Sequence, residues 1–354
     1  MRGVVALLLL AGCAPAPRSV APMVTDFARA IDSLRREAHI PGLAAVLLRD
    51  TTVIMAEGFG FADVERHIPV TPDTPFNIAS VSKTVAGVVA MRLVEQGKLD
   101  LDRPMTSFRG FDEFCADVTK EGGIFFGDYR CGPELTLRRV LSMTANGTPG
   151  TRFLYNPPSF SWASRPMAEV GGKPYSDLVA ELVFAPAGMT RSARSHRRLP
   201  LPPELAAALA RPYRIDSAGR PTLSPGPGPQ GDGAAGGVIS TALDLARFDV
   251  ALSAGRLLSP SSRAALWRPG RSPDGRLLPY GLGWFTKDFE GERLIWHTGL
   301  WEGSYSALYL KVPSRKLTLI LLANSEGLQW QSRLDEAAAE RSPFVRLLLA
   351  TFSR

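Results

Sequence analysis

The sequence predicts a mixed α/β, α+β-like fold in which one sheet takes strands from both ends of the chain. Near the N-terminus, apolar segments are separated by Arg49-Asp50-Thr51, which is typical of a hairpin. Further apolar segments lie near the C-terminus, and the stretch between the two groups is rich in helical periodicity. The predicted strands cover 43–48, 53–58, 294–296, 304–310 and 316–322.

A helix is predicted beside the sheet at each end of the chain. Thr25 is suited to cap a helix with an apolar stripe over 27–34, and Pro41-Gly42 would end that helix. Residues 336–352 also have helical periodicity. The predicted fold is therefore a sheet flanked by terminal helices, with a large helix-rich insertion.

The composition is that of a globular protein. Of 354 residues, 45% are hydrophobic and 21% are charged, which excludes a disordered or collagen-like chain. No run of about 18 apolar residues occurs, so a multi-span membrane protein is excluded. Because strands are predicted at both ends of the chain around a helix-rich middle, we predict one two-lobed domain over 25–354, with its helix-rich lobe roughly at 80–245.

Several kinds of partner are not expected. The net charge of +7 comes from 41 basic and 34 acidic residues, but no basic helix interleaved with aromatics is present, so we expect no nucleic acid. Gly226, Gly228 and Gly231 match a dinucleotide motif only by count, because neighbouring prolines lack the backbone donors that phosphate needs. The four histidines form no set at metal-ligand spacing, so we predict no cofactor and no metal.

The first residues resemble an export signal. Arg2 precedes an apolar stretch that is too short to span a bilayer, and Leu10-Ala11-Gly12-Cys13 then resembles a bacterial lipobox. We predict a signal peptide over 1–12 and a lipidated Cys13 that opens a tether over 13–24. The alternative is a plain signal peptide cleaved after a small residue. In the first case the protein is a lipoprotein anchored by Cys13 in the outer membrane, facing the periplasm.

Export would place Cys115 and Cys131 in an oxidising compartment. We predict a disulfide between them that closes a loop of about 17 residues. The alternative is that both cysteines are unpaired and serve only as small residues.

Ser80 and Lys83 form the first candidate catalytic pair. Ser80 opens a helical pattern that ends at Gly97, and residues three apart lie on one face of a helix. A serine hydroxyl needs an adjacent base, and a lysine becomes that base only when burial or a nearby cation lowers its pKa. The positive end of the helix favours negative charge near Ser80. Taken alone, the four residues Ser80 to Lys83 also fit a helix-capping serine with a surface lysine.

The segments around this pair resemble a known family. FNIASVSKT at 76–84 and LVEQGKLDLD at 93–102 resemble the serine β-lactamase and penicillin-binding protein family, in its class C-like branch of D-Ala-D-Ala carboxypeptidases and related esterases. The resemblance implies a β-lactamase/transpeptidase-like fold with an antiparallel sheet built from both chain ends. Further matches follow in order over roughly 25–325: LTLRRVLS at 135–142, PGTRFLYN at 149–156, PAGM at 186–189, AGGVIST at 235–241 and HTG at 297–299.

The resemblance also implies the catalytic roles. Ser80 matches the nucleophile and Lys83 its activating partner. Tyr155 matches the residue that acts with lysine as general base and then protonates the leaving group, which requires cations to stabilise its phenolate. Lys83 and His297 are the candidates for those cations.

A substrate-binding set is implied in the same way. The backbone amides of Ser80 and Leu300 would form the oxyanion hole. The family reads Tyr-x-Asn, but Pro157 stands at the Asn position, and Asn156 is either its replacement or a turn residue. Asn146, in Thr144-Ala145-Asn146, competes for that role or belongs to a structural loop. The strand expected to line the cleft carries His297, Thr298 and Gly299.

We therefore predict a serine hydrolase that forms an acyl-enzyme on Ser80 and hydrolyses ester, amide or lactam bonds, with esterase or D-amino-acid peptidase-like activity favoured. Where the family has Lys, His297 is mostly uncharged at neutral pH, so uncharged short-chain esters or D-amino-acid peptides should be preferred to penicillins and cephalosporins. The alternatives are a class C-like β-lactamase and a catalytically silent cell-envelope binding lipoprotein. The expected partners are a small-molecule or peptidoglycan-like substrate and the membrane, and the expected state is a monomer.

Overall fold

The computed structural model describes residues 20–228 and 230–353. The predicted signal peptide and Cys13 lie outside those residues. The first helix, α1, spans Val20–Glu37, so it begins inside the predicted tether and before Thr25. Thr25 is not a cap, because its hydroxyl donates to the carbonyl of Ala21 within the helix, at 3.1 Å. No helix in the described ranges is long and apolar enough to cross a membrane.

The strands form one large sheet and two small ones. In the described residues they are β1 Gly42–Arg49, β2 Thr52–Asp63, β3 Ile68–Pro69, β4 Phe76–Asn77, β5 Ala193–Arg194, β6 Tyr213–Ile215, β7 Pro221–Leu223, β8 Val238–Ser240, β9 Phe285–Phe289, β10 Glu292–Trp301, β11 Tyr305–Val312 and β12 Leu317–Ala323. The large sheet has the order β3-β2-β1-β12-β11-β10-β9, and all its pairings are antiparallel. The predicted fold class, with a sheet built from both chain ends, is confirmed.

Most helices lie between these two groups of strands. After α1 they are α2 Ser82–Glu95, α3 Phe111–Glu121, α4 Gly123–Phe126, α5 Leu137–Leu141, α6 Pro157–Trp162, α7 Ser164–Gly171, α8 Tyr175–Val179, α9 Ala185–Ala187, α10 Pro203–Ala208, α11 Ala242–Ser253, α12 Pro260–Trp267 and α13 Pro343–Thr351. A π-helical segment at Ala180–Phe184 joins α8 to α9.

The two ends of the chain meet at the centre of the large sheet. Val46 of β1 lies opposite Ile320 of β12 on one side and opposite Ala56 of β2 on the other. Helix α11 packs on β1 and β12, while α1 packs on β2 and α13. Because β1 is covered on both faces, it reads as a continuous apolar run rather than as an alternating pattern.

The C-terminal helix is shorter than predicted. Only Pro343–Thr351 is α-helical, and Ala339–Arg341 forms a separate 3₁₀ turn before it. Pro343 has no amide hydrogen and stands at the first helical position, so a continuous helix over 336–352 cannot pass through it. The helical periodicity therefore corresponds to an α-helix only after Ser342.

A small sheet that the sequence did not predict positions the site. Its order is β4-β8-β5, and each strand has only two or three residues, which is too short for a periodic pattern. This sheet brings the segment before Ser80 beside the strand that follows the glycine-rich segment. Strand β9 was also missed, and it lies at the edge of the large sheet beside β10.

Cys115 and Cys131 are joined by a disulfide, with their Cα atoms 6.3 Å apart. The bridge connects α3 to the chain beyond α4. Between the two cysteines, Ile124 and Phe125 of α4 project toward a cavity, and Ile124 is 80% exposed. The bridge therefore restrains an apolar segment at the entrance of that cavity.

Candidate active site

Ser80 lies in a 3₁₀ turn, Ala79–Val81, between β4 and α2. The φ angle of Ala79 is 47°, in the left-handed region that non-glycine residues seldom adopt. The amide of Ala79 donates to Asn77 Oδ1 at 2.9 Å, which holds this bend. Both Ala79 and Ser80 line the cavity. Strained backbone of this kind clusters at active sites, so the bend supports Ser80 as the reactive residue.

Lys83 lies one helical turn after Ser80 and is completely buried. Its Nζ donates to Ser80 Oγ at 2.7 Å and to the carbonyl of Ala235 at 2.9 Å. No carboxylate pairs with it in the described part of the chain. Burial lowers the pKa of Lys83 to about 7, because the charged ammonium loses its hydration. An amine with this pKa is partly neutral at physiological pH and can accept the proton of the Ser80 hydroxyl.

Tyr155 completes the group around the nucleophile. The Tyr155 ring stacks on Phe285, with ring centroids 5.8 Å apart. The Nζ of Lys83 lies 5.2 Å from the centroid of the Tyr155 ring. Burial raises the pKa of the Tyr155 phenol well above its usual value, and the charge of Asp335 raises this pKa further. The hydrogen bond with Ser80 lowers the pKa, but by less than burial raises it. The phenol is therefore neutral in this state and can donate a proton, whereas Lys83 is the group suited to accept one.

His297 does not line the cavity, which differs from the expectation. It is completely buried behind Tyr155, with ring centroids 6.1 Å apart. Its Nδ1 lies 2.6 Å from the carbonyl of Thr298, which can only accept, so Nδ1 carries the hydrogen. Its Nε2 then accepts from the Tyr280 hydroxyl at 2.7 Å. Burial, followed by the charge of Lys83, holds the pKa of His297 well below its usual value, so this neutral ring cannot stabilise a phenolate.

Thr298 and Leu300 line the cavity, and Gly299 does not. The Thr298 hydroxyl accepts from Gln329 Nε2 at 2.7 Å. A Cβ atom at Gly299 would lie 2.2 Å from the carbonyl of Ile78, so the absence of a side chain lets β10 approach the turn that holds the nucleophile. Leu300 and the nucleophile border the same space, and the oxyanion hole formed by their amides stays a prediction.

Asn156 does not replace the missing amide of the Tyr-x-Asn motif. It is 2% exposed, and its Oδ1 accepts from the amide of Ser159 at 3.0 Å as the N-cap of α6. Its Nδ2 donates to the carbonyl of Phe125 at 2.8 Å and to Asn146 Oδ1 at 3.0 Å. Asn146 also donates to Phe125 and is equally buried. Both amides therefore anchor the disulfide-linked segment, while Pro157 lines the cavity.

The cavity has a volume of about 860 Å³, which is in the range of small-molecule sites. Its walls combine an apolar side with a glycine-rich segment that ends at β8. The apolar side consists of Ile124, Phe125, Pro157, Pro158, Leu300 and Trp301. A substrate of modest size with an apolar group would fit this lining.

Apart from Lys83, the charged residues that line the cavity were not found from the sequence. Arg333 Nε and Nη2 donate to the carboxylate of Asp335 at 3.2 and 3.0 Å. Glu302, in the turn after β10, is exposed and makes no hydrogen bond or ion pair within the described residues. The hydrogen bond with Asp335 raises the pKa of Arg333, and the more distant charges of Glu336 and Glu302 raise it further. Arg333 and Asp335 therefore offset each other, and Glu302 is the remaining carboxylate that lines the cavity. Isolated charges in loops follow no periodicity or motif that could have revealed them.

A comparison with protein families agrees with this arrangement. The model of the family described as Beta-lactamase matches residues 27–341. The chain belongs to the beta-lactamase family. This is a family of serine hydrolases, so the predicted family, fold and hydrolase class are confirmed.

The chain is similar, at low sequence identity, to penicillin-binding proteins and to a D-aminopeptidase. The chain is 27% identical to penicillin-binding protein 4* of Bacillus subtilis (strain 168), over 78% of this chain and 68% of that protein. It is 25% identical to a D-aminopeptidase of Gluconobacter oxydans (strain 621H), over 83% of this chain and 58% of that protein. The octameric penicillin-binding protein homologue of Pyrococcus abyssi has a TM-score of 0.72 at 22% identity, covering 91% of this chain and 80% of that chain, which shows the shared fold.

Proposed function

We propose that this protein is a serine acyl hydrolase that cleaves ester or amide bonds through an acyl-enzyme on Ser80. The observation that carries the proposal is the pairing of Ser80 Oγ with a completely buried lysine at 2.7 Å. Burial lowers the pKa of that lysine to about 7, so a base is available at neutral pH. A silent binding protein has no need of a lysine buried without a counter-charge.

Acylation begins at Ser80. Neutral Lys83 accepts the hydroxyl proton while Oγ attacks the substrate carbonyl carbon, and the carbonyl oxygen becomes an oxyanion facing the amides of Ser80 and Leu300. The tetrahedral intermediate then collapses, and the bond between the carbonyl carbon and the leaving group breaks. Neutral Tyr155 donates its proton to the leaving group, and the proton on Lys83 returns to Tyr155, which restores both groups.

Deacylation repeats the sequence with water. A water molecule attacks the acyl carbon and its proton passes to Lys83. The bond to Ser80 Oγ breaks, and the protonated lysine returns the proton to the serine. The products are a carboxylic acid and an alcohol or amine, so one water molecule is consumed for each bond cleaved.

The charge of the cavity favours uncharged or amine-bearing substrates over carboxylate-bearing ones. Arg333 is already paired with Asp335, and Glu302 makes no hydrogen bond or ion pair within the described ranges. His297 contributes no charge, since it is buried and neutral. Short-chain esters and peptides with a free D-amino-acid terminus fit this balance better than penicillins. The named activity of the D-aminopeptidase relative supports the second of these substrates.

We further propose export and lipidation at Cys13, which would hold the enzyme at the periplasmic face of the outer membrane. The support is the Leu10-Ala11-Gly12-Cys13 run. Peptidoglycan-like peptides would be within reach of an enzyme in that position. Mass spectrometry of the purified mature protein should find lipid on Cys13; an unmodified N-terminus downstream of it contradicts this.

The central experiment is active-site labelling. A fluorophosphonate probe should label the wild type and fail to label Ser80→Ala, because Oγ is the atom that bonds to phosphorus. Ser161→Ala is the matched control, since Ser161 lines the same cavity without a lysine beside it, and labelling should persist. Equal labelling of wild type and Ser80→Ala would refute the nucleophile. The kcat/KM for p-nitrophenyl butyrate should also exceed that for nitrocefin, and the reverse order would make the protein a β-lactamase.

A further inference from the structure

The buried arginine of β5 reaches the segment that holds the catalytic lysine. Arg194 is 4% exposed, and its guanidinium lies 5.4 Å from the ring centroid of Tyr175. Its Nη2 donates to Asp232 Oδ1 at 3.1 Å and to the carbonyl of Gly233 at 3.0 Å, while Nη1 donates to the carbonyl of Gly236. One side chain therefore holds the segment 232–236 at several points.

The same segment supplies an acceptor to the catalytic lysine. The carbonyl of Ala235, between the two carbonyls that Arg194 binds, accepts from Lys83 Nζ at 2.9 Å. Gly233, Ala235 and Gly236 all line the cavity. The guanidinium thus fixes the backbone on both sides of the carbonyl that orients the lysine.

We propose that Arg194 is a positioning residue, which holds the carbonyl of Ala235 in place so that the lone pair of neutral Lys83 points at Ser80 Oγ. This rests on the proposed acyl-transfer function. A neutral amine has one lone pair, and its direction is set by where its N–H groups donate. When the carbonyl of Ala235 accepts one N–H of Lys83, little rotation of the amine about its Cε–Nζ bond remains. A displaced carbonyl would let the amine rotate away from the hydroxyl.

The packing explains why an arginine is needed at this place. A planar guanidinium can donate to several acceptors at fixed angles, which a lysine cannot. The backbone also follows its shape closely, because a Cβ atom at Gly237 would lie 2.7 Å from Nη1. Arg194 Nε is buried with no hydrogen-bond partner among the described residues, so the arrangement costs stability. That cost is consistent with a role in positioning.

The test compares Arg194→Lys with Arg315→Lys. Arg315 is also largely buried, donates to the carbonyls of Leu349 and Phe352, and pairs with Glu292, but it lies outside the cavity lining. In Arg194→Lys, the kcat for p-nitrophenyl butyrate should fall about tenfold, the equivalent of one lost interaction, with KM nearly unchanged. The pH midpoint of kcat should rise, because a loosened segment admits water to Lys83. Arg315→Lys should lower the melting temperature and leave the midpoint in place.

Amide hydrogen exchange gives a readout that does not depend on activity. In Arg194→Lys, exchange should accelerate at Ala234, whose amide donates to the carbonyl of Ser161 at 3.0 Å. Asp232→Asn, which weakens the hold on the guanidinium, serves if Arg194→Lys does not fold, and the same changes are expected. A folded variant with wild-type kcat and midpoint, or one with unchanged exchange, would overturn the proposal. A wild type that no probe labels at Ser80 would instead overturn the proposed function, and unchanged exchange in the variant would still overturn the role of Arg194.

Discussion

Lys83 and Lys311 are both buried, but their neighbours differ. Lys311 on β11 forms a buried ion pair with Asp249 of α11, and its Nζ also donates to Thr318 Oγ1 at 3.1 Å. Lys83 contacts a hydroxyl and a carbonyl, with no carboxylate partner in the described residues. A buried ammonium is stable only when an opposite charge replaces its lost hydration. Lys311 is therefore a structural cation, whereas Lys83 is suited to act as a catalytic base.

The largest effects are expected when each lysine is replaced by methionine. Lys83→Met should abolish measurable hydrolysis and leave the melting temperature at pH 7 equal or higher, because an apolar side chain carries no desolvation penalty. Lys311→Met should instead lower the free energy of unfolding by about 3–5 kcal/mol, since Asp249 loses its buried counter-charge. Thermal denaturation and the specific activity of the folded protein measure both effects.

Each variant is the control for the other. The comparison would fail if Lys311→Met lost activity without losing stability, or if Lys83→Met destabilised the protein as strongly as Lys311→Met. The melting temperatures should also be measured from pH 7 to pH 10. In this window the folded wild type binds fewer protons than the unfolded chain at position 83, so the wild type should gain stability relative to Lys83→Met as the pH rises.

A second substitution tests whether the surroundings of Lys83 set its proton affinity. His297→Lys would place a second buried amine behind Tyr155 and near Lys83. Two such amines compete for one proton, because like charges disfavour the doubly protonated state. The midpoint of kcat/KM against pH should therefore fall below 7. His297→Gln is the neutral control and should leave the midpoint near that of the wild type. An unchanged midpoint in His297→Lys would mean that residue 297 is electrostatically separate from the base.

The smallest expected effect is at the cavity mouth. Glu302→Gln removes a carboxylate from the cavity lining. The ratio of kcat/KM for amine-bearing substrates to kcat/KM for uncharged esters should therefore fall. Because Glu302 is exposed and solvent screens its charge, the ratio should change by no more than about fivefold. Glu336→Gln is the matched control, since Glu336 also lies near Arg333 but does not line the cavity. Equal ratios in the two variants would exclude Glu302 from substrate selection.

The sequence predicted the parts of this fold that long patterns encode. The apolar runs of β1, β11 and β12 located the centre of the sheet, and S-x-x-K located the nucleophile and base, because both depend on local spacing. Asn156 and His297 were placed in the cleft because motif matching gives position in the chain. It does not give the direction in which a side chain points. Asn156 is held by a contact with Phe125, and His297 by a contact with Tyr280. Neither partner is close to it in the sequence.

The remaining parts depend on contacts across long sequence separations. Arg194 and Ala235 are separated along the chain by α10, β6 and β7, and no motif links them. The strands of the small sheet are too short for periodicity, and the charges of Glu302 and Asp335 lie in loops. Such features become visible only when the backbone is folded.

The central claim is that Lys83 is a neutral base near physiological pH, and its direct titration tests it. NMR of the protein labelled with ¹³C at the lysine ε-carbons should show one resonance that titrates with a midpoint near 7 and disappears in Lys83→Met. The rate of acylation of Ser80 by p-nitrophenyl butyrate should rise with the same midpoint. A Lys83 resonance that titrates near the ordinary lysine value of about 10.4, with acylation following it, would contradict the claim.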